Sequence, residues 1–516
     1  MRASRTAAIV ALCSAGFLTA SCGGQVPPST SGTSSQESVM PEVWPEMPEP
    51  GPPPSFQVPD AISFTLSNGM PVTLVQTGKI PLVQAQMNVR TGSAADPVGK
   101  EGLASFSADM LNEGTDSRSA LELSAELLTL ASSVYAGADL ETAYLRLSCL
   151  EDKLDETLSI AADMVMRASF DSADVERVRT ERRNALIAAK DNLRRVGARV
   201  FRRVLYGDQY LGRPTRGRQD SLERITPDDL VHWHARAWVP ENASWVIVGR
   251  ISPEDARELL ERHFGGWTAD HYQQHMALDP EAHSGGVPSA AAVEVGVGER
   301  TVYWVDRPGA EQSYLAIGHV APAWDAELQA ARVLGNMVLG GQFSSRLNLN
   351  LREDKGYTYG ARSSVRGYPG GGLFMASASV KTTTTAASIT EFLKEIDGIV
   401  GDSPITGEEF VAVQGRLIQG QPARYEGLSG VLGQFASADA LQRPEGWLSG
   451  YADRIGGVVL AGAQEQLQSV LKPESLAVVV VGDYEAVGAE VEALGLGRLV
   501  FLDDDGAPVP LGSGGP

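Results

Sequence analysis

Two ten-residue stretches, "PENASWVIVG" from Pro240 to Gly249 and "PESLAVVVVG" from Pro473 to Gly482, each run from a proline through an apolar strand to a glycine at equal spacing. Each follows an amphipathic helical pattern, "PDDLVHWHARAW" before the first and "GAQEQLQSVL" before the second. A unit repeated once, about 230 residues on, is far longer than the roughly 20–50-residue period of a solenoid and means two similar domains by duplication. The first copy is expected over 58–268, ending at "FGGW", and the second over 290–503. The polar, histidine-containing stretch 269–289 joins them, and the tail 504–516, beginning "DDGAPVP", reads as disordered.

Within each copy, hairpin strands mix with long helices in an order unlike a regular βαβ alternation. In "AISFTLSNGMPVTLV", Ile62, Phe64 and Leu66 alternate with polar residues, Asn68-Gly69 supplies a turn, and Val72 and Leu74 resume the alternation. "LVQAQMNVR" then places Val83, Ala85, Met87 and Val89 on one face. The class is α+β, with helices packed on one sheet face.

Ahead of the first copy, residues 1–21 read as an export signal: Arg2 and Arg5, an apolar run too short to span and stay, then small residues. Thr19-Ala20-Ser21-Cys22 resembles a bacterial lipobox, with Cys22 lipidated as the mature N-terminus. Gly23 after it fits an outer-membrane anchor facing the periplasm. Residues 22–57, rich in Pro, Ser and Gly, then form a tether. Once Cys13 leaves with the signal and Cys22 is lipidated, Cys149 stands alone, so no disulfide framework is expected; in the strand-like "AYLRLSCL" it reads as a small core residue. With 43 basic against 64 acidic residues the net charge is -21, which disfavours nucleic acid and anionic lipid surfaces. Against that background, 177–203 carries nine arginines, including Arg182, Arg183, Arg194, Arg195, Arg202 and Arg203. They read as a solvated, salt-bridged helix pair, or as a basic patch facing an acidic peptide or partner.

The longest signature lies in the second copy: "LGGQFSSRLNLNLREDKGYTYGARSS", 339–364. Gly340 and Gly341 permit a tight turn, Ser344 or Ser345 can cap a helix carrying Leu347, Leu349 and Leu351, and Gly356 ends it before a strand. Arg352 at the helix end and Tyr359 on the strand could both donate hydrogen bonds to one peptide carbonyl. The same pair also suits an arginine capping helix carbonyls and a half-buried tyrosine. "YPGGGLF", 368–374, is a glycine run before a strand, with no Lys-Ser/Thr after it to suggest phosphate binding.

This signature resembles the C-terminal domain of the M16 (insulinase, pitrilysin and mitochondrial processing peptidase) family of zinc metallopeptidases. The resemblance extends over about 58–500, through "GLASF…ML…GT", "YGDQYLGRPTRGRQDSL" and both "P…VG" strands. It implies two homologous M16-type α/β sandwich domains arranged as a clamshell, and Arg352 and Tyr359 as substrate-binding residues. It also frames "GLASFSADMLNEGT", 102–115, where the family carries His-x-x-Glu-His: two zinc ligands and a glutamate that activates water. Here Ser105 and Asp109 stand at the ligand positions and Ala108 at that of the base. The third ligand, a glutamate on a later helix, falls at Ala185 in "ERVRTERRNALIAAKDN", with Glu176 and Glu181 one or two turns early.

No catalytic or metal-binding residue is therefore expected in this chain, and zinc belongs to the family and to a partner chain. "HYQQH", 271–275, imitates the motif's spacing, but its Gln274 cannot act as a base. His232 and His234, two residues apart, point to different helix faces. The expectation is a non-catalytic, peptide-binding, lipid-anchored subunit paired with a zinc-bearing M16 chain, or with itself as a homodimer. Two alternatives are a metallopeptidase with an atypical metal site near Asp109, and an outer-membrane scaffold without a peptidase partner.

Overall fold

The structure, a computed structural model, describes residues 56–270, 272 and 300–510. The expected signal 1–21, the Cys22 anchor and nearly all of the tether lie outside these residues, as do most of the 269–289 join and all of "HYQQH" except Tyr272.

Each copy folds around one six-stranded sheet. The first contains β1 (Ile62–Thr65), β2 (Pro71–Gln76), β3 (Leu82–Val89), β4 (Ser133–Ala138), β5 (Ala143–Leu150) and β6 (Ala243–Gly249), in the order β1-β2-β6-β3-β5-β4. The second contains β7 (Thr301–Asp306), β8 (Gln312–Ala321), β9 (Thr358–Tyr368), β10 (Gly371–Lys381), β11 (Ala477–Gly482) and β12 (Arg498–Phe501), in the order β12-β7-β11-β8-β10-β9. The duplicated motif supplies β6 and β11, third in each sheet, each pairing parallel to one neighbour and antiparallel to the other. That central place explains why every residue of both strands is buried and why both read as continuous apolar runs. The sixth strand differs. In the first copy it is the N-terminal half of the Asn68-Gly69 hairpin, antiparallel to β2; in the second it arrives from the end of the chain, parallel to β7. As an edge strand β1 leaves Ile62 41% exposed, whereas Val83, Ala85, Met87 and Val89 of β3 are all buried against the helices. Cys149, on β5, is buried as expected, and burial pushes its thiol up to about 11.

The opposite face of each sheet is covered by a helix from the other copy. The helix Leu193–Tyr206 of the first copy packs Val196, Val200 and Phe201 on Val305, Tyr314, Val479 and Val481 of the second sheet. In return the helix Gly427–Ala440 packs Val431, Leu432 and Ala436 on Val75, Val246 and Val248 of the first. The two contacts are counterparts under the duplication and join the halves of the clamshell. A side chain at Gly197 would bring its Cβ within 2.3 Å of the Tyr314 ring, so only glycine permits this approach.

The glycine run 368–374 turns the β9–β10 hairpin, and the first copy grips it: Arg202 donates to the Tyr368 hydroxyl (2.7 Å), Tyr206 to the Gly372 carbonyl, and the Gly370 N–H to the Tyr210 hydroxyl (3.1 Å). The expected disorder from 504 onward is corrected for 504–510, where Leu502 bridges Pro508 and the Val509 N–H donates to the Phe501 carbonyl (2.9 Å). The acidic residues of this segment are neutralised locally. Arg199 donates to the Asp504 carbonyl (2.6 Å), Arg307 pairs with the Asp504 carboxylate, and Asp503 accepts from the Asp505 and Ala507 N–H groups.

Candidate functional site

The helix Leu103–Met110 carries Ser105, Ala108 and Asp109. Its N-terminus is held by Asp96, whose carboxylate accepts from the backbone N–H groups of Gly102 and Ala104 (both 2.8 Å). Leu103, Phe106, Met110 and Leu111 are buried, so the apolar frame of the helix is fully used in packing.

Ser105 and Asp109, one turn apart, converge on a single cation, the guanidinium of Arg182. One of its terminal nitrogens donates to Asp109 and the other to the Ser105 hydroxyl (2.7 Å), with further bonds to the Gly102 (3.4 Å) and Arg216 (3.3 Å) carbonyls. The Arg182 side chain is 6% exposed against 34% for Asp109, and its guanidinium lies 5.1 Å from the centre of the Phe106 ring. Burial lowers its pKa while Asp109 opposes that change, yet a guanidinium so paired stays charged.

Ala108 is buried, and Ala185, one turn beyond Arg182 on the helix Ser172–Ala188, is exposed. These residues do not fit a zinc ion: the one carboxylate is taken by a resident cation, and a divalent ion placed beside it would be repelled. Among the described residues no group of three His, Cys, Asp or Glu is placed to hold a metal. His234 is buried with Nε2 2.8 Å from the Val165 carbonyl, and His263 pairs with Asp155 at 2.6 Å.

Reading the nine arginines as solvated therefore holds for only part of the run. Arg177 and Arg183 are ion-paired near the surface, whereas Arg179 and Arg182 are buried, both against Phe106. The available signal was position: Arg182 precedes Ala185, where the resemblance expected the third ligand, by one helical turn, and so shares its helix face.

Beside this helix runs β4, the outer strand of the first sheet. The amide of Asn112 accepts from the Ala136 N–H (2.8 Å) and donates to its carbonyl (3.2 Å). One side chain thus substitutes for a neighbouring strand at that residue.

Arg352 and Tyr359 sit on the second copy. The expected helix begins after Ser345 but widens into a π-turn over Leu349–Asp354, which leaves Leu349 43% exposed and ends at Gly356 with φ +65°. Ser345 makes no capping bond. Arg352, 38% exposed, lies 4.6 Å over the Phe343 ring and 3.2 Å from Glu353. Tyr359, on the outer strand β9, is 92% exposed. A half-buried tyrosine is not what the fold contains; its phenol is presented to solvent.

Comparison with known proteins agrees with this architecture. The model of Insulinase (Peptidase family M16) matches residues 72–218, and that of the Peptidase M16 inactive domain matches 224–417. An uncharacterized zinc protease of Mycobacterium leprae is 23% identical over 353 residues, 68% of this chain and 76% of that protein. The mitochondrial-processing peptidase subunit beta of Bos taurus is 24% identical over 225 residues, 44% of this chain and 46% of its own. A solved M16 inactive domain from Pseudomonas fluorescens superposes with a TM-score of 0.71 at 20% identity, covering 82% of this chain and 98% of its own. A protease from Helicobacter pylori gives 0.72 at 19% identity, covering 82% and 100%. The chain belongs to the M16 peptidase family.

Proposed function

We propose that this chain is a non-catalytic, peptide-binding M16 subunit that works beside a zinc-bearing M16 chain. The observation that carries the reading is the Arg182 guanidinium, bonded to both residues that stand at the family's histidine positions. It supplies internally the positive charge that a metal would otherwise bring, and leaves no general base beside it. Arg352 and Tyr359, by contrast, remain accessible donors suited to a peptide carbonyl. The zinc protease names of relatives support a metal-dependent partner. That partner is a second M16 chain of the intact His-x-x-Glu-His type, or a second copy if the assembly is homodimeric. The leader and Cys22 support attachment by lipid at an outer membrane, facing the periplasm; Cys22→Ser should release the chain from the membrane fraction.

The reading is tested by copurifying the chain from its native membrane, identifying what accompanies it and reconstituting the pair. Arg352→Ala should lower peptide cleavage by about 100-fold, the scale of one lost transition-state donor. Unchanged cleavage would remove the assigned role. Zinc analysis of the isolated chain should find no stoichiometric metal. A metal that is present and is lost in Asp109→Ala would replace this reading with that of a self-sufficient metallopeptidase.

A further inference from the structure

Between the two copies lies a cavity of about 1040 Å³ to which both contribute side chains. Arg90 follows β3, Arg146 lies on β5, Arg366 on β9, and Arg443 follows the exchanged helix Gly427–Ala440. Against these four cations the lining holds two carboxylates, Asp139 and Glu141. A positive cavity in a chain of net charge -21 runs against the average composition.

Arg90, Arg146 and Arg443 are half-buried and Arg366 is exposed, so all four can be reached from the cavity. The Nε of Arg90 is buried without a hydrogen-bond partner. Arg146 donates only to neutral acceptors, the Gln86 amide oxygen (2.9 Å) and the Tyr135 hydroxyl (3.3 Å). Arg443 is pressed 3.5 Å from the centre of the Trp324 ring and 5.5 Å from that of Trp447, and burial pushes its pKa down to about 10, with Glu141 opposing. Among the described residues no carboxylate oxygen lies within salt-bridge distance of any of the four. Withdrawing an arginine from water without an anion costs free energy. Arg182 shows how the same chain settles that cost where the charge serves the fold: it is paired with Asp109.

The backbone at Arg443 is specified as well. Gln442 adopts φ +48°, a left-handed conformation usually left to glycine, while the Arg443 N–H donates to the Ala438 carbonyl (2.8 Å) and the Gln442 N–H to that of Asp439 (2.9 Å). This turn ends the exchanged helix and delivers Arg443 to the cavity wall. Arg90 and Arg443 also line an adjoining cavity of about 800 Å³, where Asp60, Asp439 and Glu445 outnumber them, so the positive excess is confined to the larger chamber.

We infer that this cavity receives an acidic peptide segment, its carboxylates taken up by Arg90, Arg146, Arg366 and Arg443 and its apolar residues by the faces of Trp324 and Tyr368. The inference rests on the peptide-binding reading above and gives it a substrate class. The carboxylates can come from acidic side chains or from a peptide C-terminus.

The test is fluorescence anisotropy of the full chain with labelled peptides of about a dozen residues, long enough to fill the chamber and extend past it at both ends. One peptide carries several glutamates; its analogues replace them with glutamine or lysine, or amidate the C-terminus. The glutamate peptide should bind, the glutamine analogue at least about tenfold more weakly, and the lysine analogue more weakly still. Binding should weaken between about 50 mM and about 500 mM salt. Amidation without effect assigns the carboxylates to side chains; loss on amidation of an otherwise neutral peptide assigns them to the C-terminus. Arg90→Ala/Arg366→Ala/Arg443→Ala should reproduce the tenfold loss with an unchanged circular dichroism spectrum, and the glutamine comparison decides the matter on native protein if that variant unfolds. Equal binding of all charge variants overturns this inference and leaves the peptide-binding reading standing. No binding of any peptide overturns both.

Discussion

The two copies share a sheet order and a strand motif but dispose of their charges in opposite ways. Among the described residues the buried carboxylates Asp96, Glu101 and Asp163 and the buried guanidiniums Arg179 and Arg182 all belong to the first copy, while the second buries only Arg332 and His319 and leaves Arg352 and Tyr359 accessible. The difference follows the chemistry at each site. On the first copy, Ser105 and Asp109 of the helix Leu103–Met110 are bonded from within by Arg182. On the second copy Arg352 and Tyr359 stay accessible to something outside.

The comparison breaks most severely at Arg182. Arg182→Ala should cost roughly 3 kcal/mol, near the lower end for removing one partner of a buried pair, because Asp109 is about a third exposed and water can reach it. Asp109→Ala/Arg182→Met, which removes both charges and keeps most of the volume, should cost less than about 1 kcal/mol. Urea denaturation followed by tryptophan fluorescence measures both. Equal losses in the two variants would mean that packing on Phe106, and not the ion pair, holds the guanidinium in place.

The next effect is in the pH profile. Burial pushes His234 down to about 3, so its contribution to stability is complete above the unfolded value near 6.5 and is lost as pH falls through that window. Burial pushes Asp96 up to about 7 in spite of its bonds from the Ala104 and Gly102 N–H groups, so the folded chain takes up that proton first and stability rises as pH falls from 7 toward 4. Each group is worth at most about 1.4 kcal/mol per pH unit, and between about 4 and 6.5 they oppose one another. The wild-type profile should be nearly level there. Asp96→Asn should uncover a loss of stability toward acid, and His234→Phe a gain. A wild-type profile that already falls steeply below pH 6.5 would show that the two backbone N–H bonds keep Asp96 ionised in the fold.

Smaller still, and directed at the exchange of helices, is a pair of alanine substitutions at glycines. Gly197→Ala forces a Cβ against the buried Tyr314 ring and should cost about 1–3 kcal/mol. Gly433, on the counterpart helix, has open space at the same atom, so Gly433→Ala should be neutral or stabilise by up to about 1 kcal/mol through helix propensity. Thermal melts of the two variants should move in opposite directions or differ clearly in size; equal shifts would mean that the two exchanged helices are not packed with different closeness.

What the amino-acid sequence made legible was the part governed by local pattern. β6 and β11 are central and fully buried, so their apolar runs identified both domains. Which sheet an amphipathic helix covers is not a local property, and nothing in Leu193–Tyr206 distinguishes its own sheet from the neighbour it joins. Arg182 escaped recognition for the same reason: its partners Asp109 and Ser105 lie 73 and 77 residues away, and an arginine in a charged helix reads as solvated until those partners are known. The tail misled in a related way, since Asp504 looks like a solvated acid until Arg199 and Arg307 close on it.

The smallest expected effect on stability is also the one that separates a retained function from a retained fold. Tyr359 is 92% exposed and, among the described residues, the Arg352 side chain is held by the Phe343 face and Glu353, so Arg352→Ala and Tyr359→Ala should each change unfolding free energy by less than about 0.5 kcal/mol. A large, solvent-facing aromatic that contributes nothing to the fold contrasts with Asn112, which is spent on its own strand edge at Ala136. If both variants melt with the wild type yet depress cleavage in the reconstituted pair, the second copy's donors serve another molecule. If either variant lowers the melting temperature appreciably, the pair is part of the packing around Phe343, and the contrast between a copy satisfied inwardly and a copy open to solvent does not hold.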